Sequence, residues 1–292
     1  MLLTFDIGGT QIKYGLVDEA GQVLLAHSMA THGAAGAAAM LDRVRQVAAP
    51  LIAAYSPRGI ALSTLGLVAP QDGTILAAAE AIPGYIGISP KTSLEQAFDL
   101  PVTVENDVNC VALAEGWRGA AQGIANYLAI AVGTGIGGGI VIDGRLYRGH
   151  RAAAGEWGYM RIDGRLWEDY ASMRGLVNAA IAATNDAGWD GRSVFAAYDA
   201  GDARLTAVVH GWLALLATGI ANLIYAFNPE RVVLGGGITG RGARFHKEIN
   251  AALDEILMPE FRGMSEVALA SAGNHAGMIG AARNWYFAHD DI

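Results

Sequence analysis

Cysteine is nearly missing. Cys110 is the sole one in 292 residues, which excludes an intrachain disulfide and any multi-cysteine metal site. Charge is sparse too, at 16% of residues, with 20 basic against 28 acidic side chains and a formal net charge of −8. No Lys/Arg cluster stands out, so the footprint of a nucleic-acid partner is absent and none is expected. No basic n-region or cleavage signal precedes the first apolar run, which makes the cytoplasm the expected compartment. One stretch, 205–229, has no Asp, Glu, Lys or Arg and is long enough to cross a bilayer. His210, Asn222, Thr206 and Thr218 interrupt it, and no aromatic-and-basic flanks frame it. A buried core helix is expected there, and no membrane partner. What the chain has in quantity is apolar residues (52%) and glycine (39), the composition of an α/β protein with large buried sheets and many tight turns. At this length that means one large domain or two closely packed lobes.

The organising stretch is Glu105-Asn106-Asp107. The apolar run 100–104 reads as a buried strand and 108–117 as a helix. Asp107 therefore sits where a strand hands over to a helix, which is where open α/β sheets place ligand-binding groups. In a first helical turn the dipole favours an ionised carboxylate, and such a group can act as general base toward a hydroxyl it can reach. Taken alone, the same residues are better accounted for by a helix cap at Asn106 or Asp107.

Three glycine corners surround it in sequence. Strands over 2–6, 14–17 and 23–26 form a meander whose first corner is Gly8-Gly9-Thr10. Glycines let backbone N–H groups approach a phosphate, and Thr10 and Lys13 add a hydroxyl and a positive charge. Asp6, at the strand end, is placed to hold Mg²⁺ through water. An ordinary hairpin with a Gly-Gly turn is the competing account. A helix over 37–55, a strand over 59–64 followed by Gly66, a surface loop over 81–85 and a helix over 89–98 follow. Strand 126–132 then runs into Gly133-Thr134-Gly135-Ile136-Gly137-Gly138-Gly139 and a further strand. Strand, glycine corner, strand and turn thus occur twice, which reads as a duplicated lobe rather than a solenoid. The second corner lacks the Gly-Lys-Ser/Thr ending of a P-loop and opens no helix as a dinucleotide fingerprint would. Its glycine density nevertheless favours phosphate binding over a plain hairpin. Residues 148–175 read as polar and irregular, with Glu156 and Glu168 beside Trp157, Tyr159 and Trp167. Carboxylates next to rings suit a sugar, whose hydroxyls and apolar face they would take; solvated loop carboxylates are the plainer explanation for either one. Helices are expected over 173–184, 202–227, 242–257 and 276–287. Strand 231–234 leads to the third corner, Gly235-Gly236-Gly237.

With these pieces in place the chain resembles the ROK family of sugar kinases. The resemblance rests on Asp6-Ile7-Gly8-Gly9-Thr10, on Glu105-Asn106-Asp107 with Asn109, on the run from Gly133 to Gly139, and on Gly235-Gly236-Gly237-Ile238. It implies an α/β, two-lobed actin-like ATPase (ribonuclease H-like) fold with duplicated lobes, 1–117 closed by 276–292, and 118–275. It implies ATP-dependent phosphorylation of a hexose or hexoside hydroxyl, most often the 6-hydroxyl, with Asp107 as base. Gly66, Asn106, Glu156, Tyr159 and Glu168 would contact the sugar. Asp6, Gly8, Gly9, Thr10, Lys13, Gly133, Thr134, Gly135 and Gly137 would serve the ATP phosphates and Mg²⁺, and Gly235, Gly236 and Gly237 the nucleoside. Common family members carry a histidine and a cysteine-rich zinc motif; here Tyr159 stands at the histidine and no cysteines lie near Gly164-Arg165-Leu166-Trp167. No zinc site is expected. That wording resembles the zinc-free branch that includes β-glucoside kinases and some N-acetylmannosamine kinases. A homodimer is implied as well. The alternative is a sugar-binding regulator without catalysis; a repressor's DNA-binding domain has no room before Asp6.

Overall fold

β1 (Leu2–Ile7) is apolar along nearly its whole length and buried on both faces, as a central strand must be. It pairs antiparallel with β2 (Gln11–Val17), which pairs with β3 (Val23–Ala30), an edge strand with most of its surface in solvent. In this computed structural model, which describes residues 1–78 and 81–289, helix α1 (Gly36–Tyr55) leads on to β4 (Ile60–Thr64). A small hairpin of β5 (Leu67–Val68) and β6 (Ile75–Ala77), then α2 (Pro90–Phe98), precede β7 (Val102–Asn106). β4 lies parallel to both β1 and β7, giving the order β3-β2-β1-β4-β7. α3 (Asp107–Arg118) follows directly.

The pattern then starts again. β8 (Tyr127–Val132), β9 (Ile136–Ile142) and β10 (Arg145–Leu146) form an antiparallel meander. Next come the hairpin β11 (Arg161–Ile162) and β12 (Arg165–Leu166), and α4 (Trp167–Ala171). α5 (Met173–Thr184), α6 (Gly191–Asp199) and α7 (Ala203–Phe227) complete the helical layer. β13 (Arg231–Gly235), α8 (Ala243–Ile256), β14 (Glu266–Leu269) and α9 (Ala276–His289) finish the described chain. The second sheet runs β10-β9-β8-β13-β14, strand for strand the order of the first. Residues 290–292, placed by sequence in the closing segment, lie outside the described residues.

α3 and α9 lie between the sheets, and each covers the sheet it does not extend from. α3 follows β7 yet packs mainly on β8 and β9; α9 follows β14 yet packs on β1, β2, β4 and β7. They cross where Gly280 meets Cys110: a Cβ on Gly280 would stand 1.7 Å from the Cys110 carbonyl oxygen, so only glycine permits this approach. Cys110 is wholly buried there.

The apolar stretch 205–229 is α7, the buried spine of the second lobe, packed on α4, α5, α6 and α8. Two expectations need correction. Residues 148–175 are not simply irregular: they hold a single turn at Trp157–Tyr159, a hairpin and α4, pinned by the buried indoles of Trp157 and Trp167. The segment 81–85 is a turn, but Ile82 and Tyr85 are core residues, and the Tyr85 hydroxyl meets Thr64 Oγ1 at 2.8 Å.

Candidate active site

The corner between β7 and α3 is tied down by its own side chains. Asn106 is the N-cap of α3, its Oδ1 accepting from Val108 N (2.9 Å) and Asn109 N (3.1 Å). The cap account of Asn106 is thus realised, and it does not exhaust the residue. Asn106 Nδ2 donates to the Gly66 carbonyl and to Asp107 Oδ1, each at 3.0 Å, fixing the Asp107 carboxylate. Asp107 lines a cavity of about 590 Å³ with Gly66, Asn106, Gly137, Glu156 and Tyr159. Gly66 has φ +94, and a Cβ there would stand 2.4 Å from the Ala77 carbonyl oxygen, so the bend out of β4 requires glycine.

The Asp107 carboxyl is more basic than an ordinary aspartate's, while its charge state at neutral pH is the one expected from the sequence. Burial, aided by the charges of Asp6 and Glu156, raises its pKa to about 6; the Val108 backbone N–H, at the start of the helix, opposes the rise without cancelling it. A carboxylate poised there is still mainly ionised at neutral pH and is a stronger base than an ordinary aspartate. Glu156 is likewise raised, by burial first and by Glu168 second.

Not every predicted residue meets in this cavity. Glu168 stands behind it, accepting from Ile136 N at 3.3 Å and lying 3.7 Å from Arg174. Gly137 lies within β9 and faces Asp107's cavity, while Gly133, Thr134 and Gly135 form the turn before it. Gly9 and Thr10 border a separate cleft beside His32. Gly8 closes the β1–β2 turn through its N–H to the Gln11 carbonyl. Gly235 ends β13 and Gly236 turns the chain at φ +91. Gly237 lines a third cavity of about 760 Å³ with Met173, Arg192, Phe195 and Arg241. Lys13 sits inside β2 rather than in the turn, donating to the Asn274 carbonyl at 2.8 Å and lying 3.8 Å from Asp6.

Asp6 accepts from Ser63 Oγ at 2.8 Å. It faces the start of α9, where a Cβ on Gly277 would stand 2.3 Å from its Cγ. Gly277 and Ser63 were invisible as site residues in the sequence, because nothing local links them to Asp6. Behind the corner, Glu105 is buried. It accepts from Asn106 N and Asn109 Nδ2, both at 2.9 Å, and from Arg148 Nε at 2.6 Å. Among the described residues no three His, Cys, Asp or Glu side chains cluster to hold a metal ion.

The sequence profile of the ROK family matches residues 2–286. A β-glucoside kinase of Klebsiella pneumoniae is 35% identical over 292 residues, covering 96% of this chain and 94% of that protein. The ROK hexokinase of Thermus thermophilus superposes with a TM-score of 0.88 at 30% identity, covering 100% of this chain and 99% of that one. A ROK family glucokinase of Streptomyces griseus, solved with glucose and AMPPNP, superposes with a TM-score of 0.80 at 31% identity over 96% of this chain and 98% of that one. With a repeated α/β sheet, an acid at the β7–α3 corner and this match along nearly its whole length, the chain belongs to the ROK family.

Proposed function

We propose that this protein is an ATP-dependent sugar kinase in which Asp107 takes the proton from a hexose or hexoside hydroxyl, the 6-hydroxyl first among them, as that oxygen attacks the γ-phosphoryl group. The observation that carries the reading is the Asp107 carboxylate, raised to about 6 and held by Asn106 on the wall of a cavity that Glu156 also lines. Asn106 orients the base. Glu156 and the open-faced ring of Tyr159 take sugar hydroxyls and the apolar sugar face. Glu168 acts on the sugar through Glu156 and the Ile136 amide rather than by direct contact.

Added Cβ atoms at Gly133 and Gly237 would meet nothing within 4 Å, and Thr134 is exposed. This open backbone suits close contact with phosphates and ribose. Asp6, just before the Gly8-Gly9-Thr10 turn and 3.8 Å from Lys13, offers a hard oxygen donor, which fits an ion that keeps much of its water. Mg²⁺ bound there would neutralise charge on the transferring phosphoryl group. Gly235 and Gly236 shape the nucleoside side, next to the cavity at Phe195. A cytoplasmic homodimer without zinc completes the reading.

The test is ADP release with a panel of glucose, N-acetylmannosamine, mannose, fructose and cellobiose. Turnover with at least one sugar, absent in Asp107→Asn, is expected; no ADP release above the sugar-free background with any of them overturns it. Turnover with cellobiose exceeding glucose would favour the hexoside, for which a cavity of about 590 Å³ leaves room.

A further inference from the structure

On a chain of net charge −8, hydrogen-bond donors gather at one seam away from the Asp107 cavity. The seam is a cavity of about 350 Å³ between the first lobe, the loop after β10 and the end of α9, lined by Lys91, Thr103, Glu105, Arg148, Asn284 and His289 among others. Among the described residues Glu105 is the single acid of the lining, and Arg148 Nε already occupies its Oε2 at 2.6 Å. Arg148 Nη2 donates to Asn284 Oδ1 at 2.7 Å, which leaves its other terminal nitrogen uncommitted by either contact. Lys91 lies 3.8 Å from Glu95 across one helical turn and also acts on Asp72, both surface-exposed pairings of small worth. His289 Nδ1 donates to the Trp285 carbonyl at 2.9 Å. Thr103, on the same strand face as Glu105 and 91% buried, has a hydroxyl with no hydrogen-bond partner. A buried hydroxyl left unpaired costs stability and calls for an explanation. Through Pro70 the cavity adjoins a second cleft that brings His150 and Arg151 to the same side.

A buried hydroxyl without a partner, lining one cavity with the Lys91 ammonium and the Arg148 guanidinium, suits an acceptor-rich anion. We infer that this seam is a second ligand site, for a phosphate group carried either by inorganic phosphate or by a sugar phosphate, held by Lys91, Arg148 and the Thr103 hydroxyl. It lies beyond the kinase reading and does not depend on it: the site shares no lining residue with the Asp107 cavity. Glu105 links the two, since it bonds Arg148 on one side and the Asn106 and Asn109 nitrogens on the other.

The test is calorimetric titration of inorganic phosphate, and separately of glucose 6-phosphate, into the full chain preloaded with glucose and a non-hydrolysable ATP analogue. Saturable one-to-one binding is expected, weakened by about tenfold or more in Lys91→Ala, since a charge-assisted contact is lost. Thr103→Val, which keeps shape and removes a hydroxyl that does nothing else, is expected to weaken it too, and Glu156→Gln to leave it unchanged. Equal binding of both probes assigns the site to free phosphate; binding of the hexose ester alone assigns it to a sugar phosphate. No saturable binding by either up to about 10 mM, binding abolished by preloading, or wild-type affinity in Lys91→Ala overturns the proposal. A chain that releases no ADP with any sugar yet binds phosphate through Lys91 would leave this site standing and remove only the kinase reading.

Discussion

The two sheets share one strand order, but their last corners do opposite things with a carboxylate. In the first lobe β7 runs straight into α3, and the corner keeps Asp107 facing the cavity, with Asn106 supplying the cap. In the second, β14 runs into Ala270-Ser271-Ala272, which has no acid. There the carboxylate comes from α3 instead: buried Glu115 accepts from Ser271 N at 3.0 Å, Ala272 N at 2.9 Å and Ala120 N at 2.7 Å. A duplicated fold thus leaves the carboxylate of one corner facing a cavity and uses that of the other as an internal clasp. The backbone geometry of a corner does not decide its role; what decides it is whether the carboxylate's lone pairs are spent on the protein.

The largest effect should fall on that contrast. Asp107→Asn keeps the acceptor for Asn106 Nδ2 and removes the base, so kcat should drop on the order of 10²–10⁴-fold. Glu115→Gln is the matched change in the other corner. It should leave kcat within about twofold but cost roughly 1.5–3 kcal/mol of stability, as hydrogen bonds to a buried charged group do. Thermal melts and steady-state kinetics on both variants measure this. Near wild-type turnover in Asp107→Asn would erase the distinction between the corners.

The third glycine corner sharpens the comparison next. A Cβ on Gly236 would stand 2.2 Å from the Val132 carbonyl oxygen at a φ of +91, whereas one on Gly237 would meet nothing within 4 Å. Gly236→Ala should therefore destabilise the lobe by about 1–3 kcal/mol and raise the KM for ATP. Gly237→Ala should raise that KM with an unchanged melting temperature. Equal melting losses would mean both glycines serve the fold alone.

Much of this was legible in the sequence, for reasons that differ from place to place. The sheets could be read because buried β-branched runs and glycine corners are local signals, and the second lobe because it repeats the first. The Asp107 corner could be read because a strand-to-helix handover is local as well. The density of glycine from Gly137 to Gly139 has a packing reason that the sequence did not display. Added Cβ atoms there would strike Val108, Trp157 and Ala112, so those three glycines admit α3 and an indole to the sheet, and only Gly133 and Gly135 belong to the turn. The ordered segment around Trp157 and Trp167 escaped notice because its anchors are remote: Trp157 packs on Gly138, and Trp167 packs on Gly219. α6 was missed although Asp190 and Ser193 form a capping box that its sequence displays. The Glu105–Arg148–Asn284 chain spans 43 and 136 residues and has no local trace.

A smaller effect separates Glu156 from Glu168. Glu156→Gln, inside the cavity, should raise the sugar KM by roughly tenfold with little change in kcat, the loss of one charge-assisted hydrogen bond. Glu168→Gln, behind it, should change KM less. If KM for every accepted sugar were unchanged in Glu156→Gln, its contact with substrate would be refuted.

The finest test uses pH on the two carboxylate corners. Burial raises Asp107 from 3.8 to about 6, so the folded protein holds this proton more tightly than the unfolded chain does. Its contribution to stability is therefore fully present below about pH 4 and is lost as pH rises through 6. Two consequences follow with opposite signs. kcat/KM should fall on acidification below about pH 6, approaching tenfold per pH unit, because the protonated group cannot accept the sugar's proton. Asp107→Asn, neutral at every pH, escapes the burial cost and should melt a few degrees higher than wild type at pH 8, with the gap closing near pH 4. Glu115→Gln should melt lower at pH 8, since its carboxylate is engaged by backbone donors rather than stranded. A variant at Asp107 that melted lower than wild type at pH 8 would mean that this carboxylate, too, holds the fold together, and the division of labour between the corners would fail.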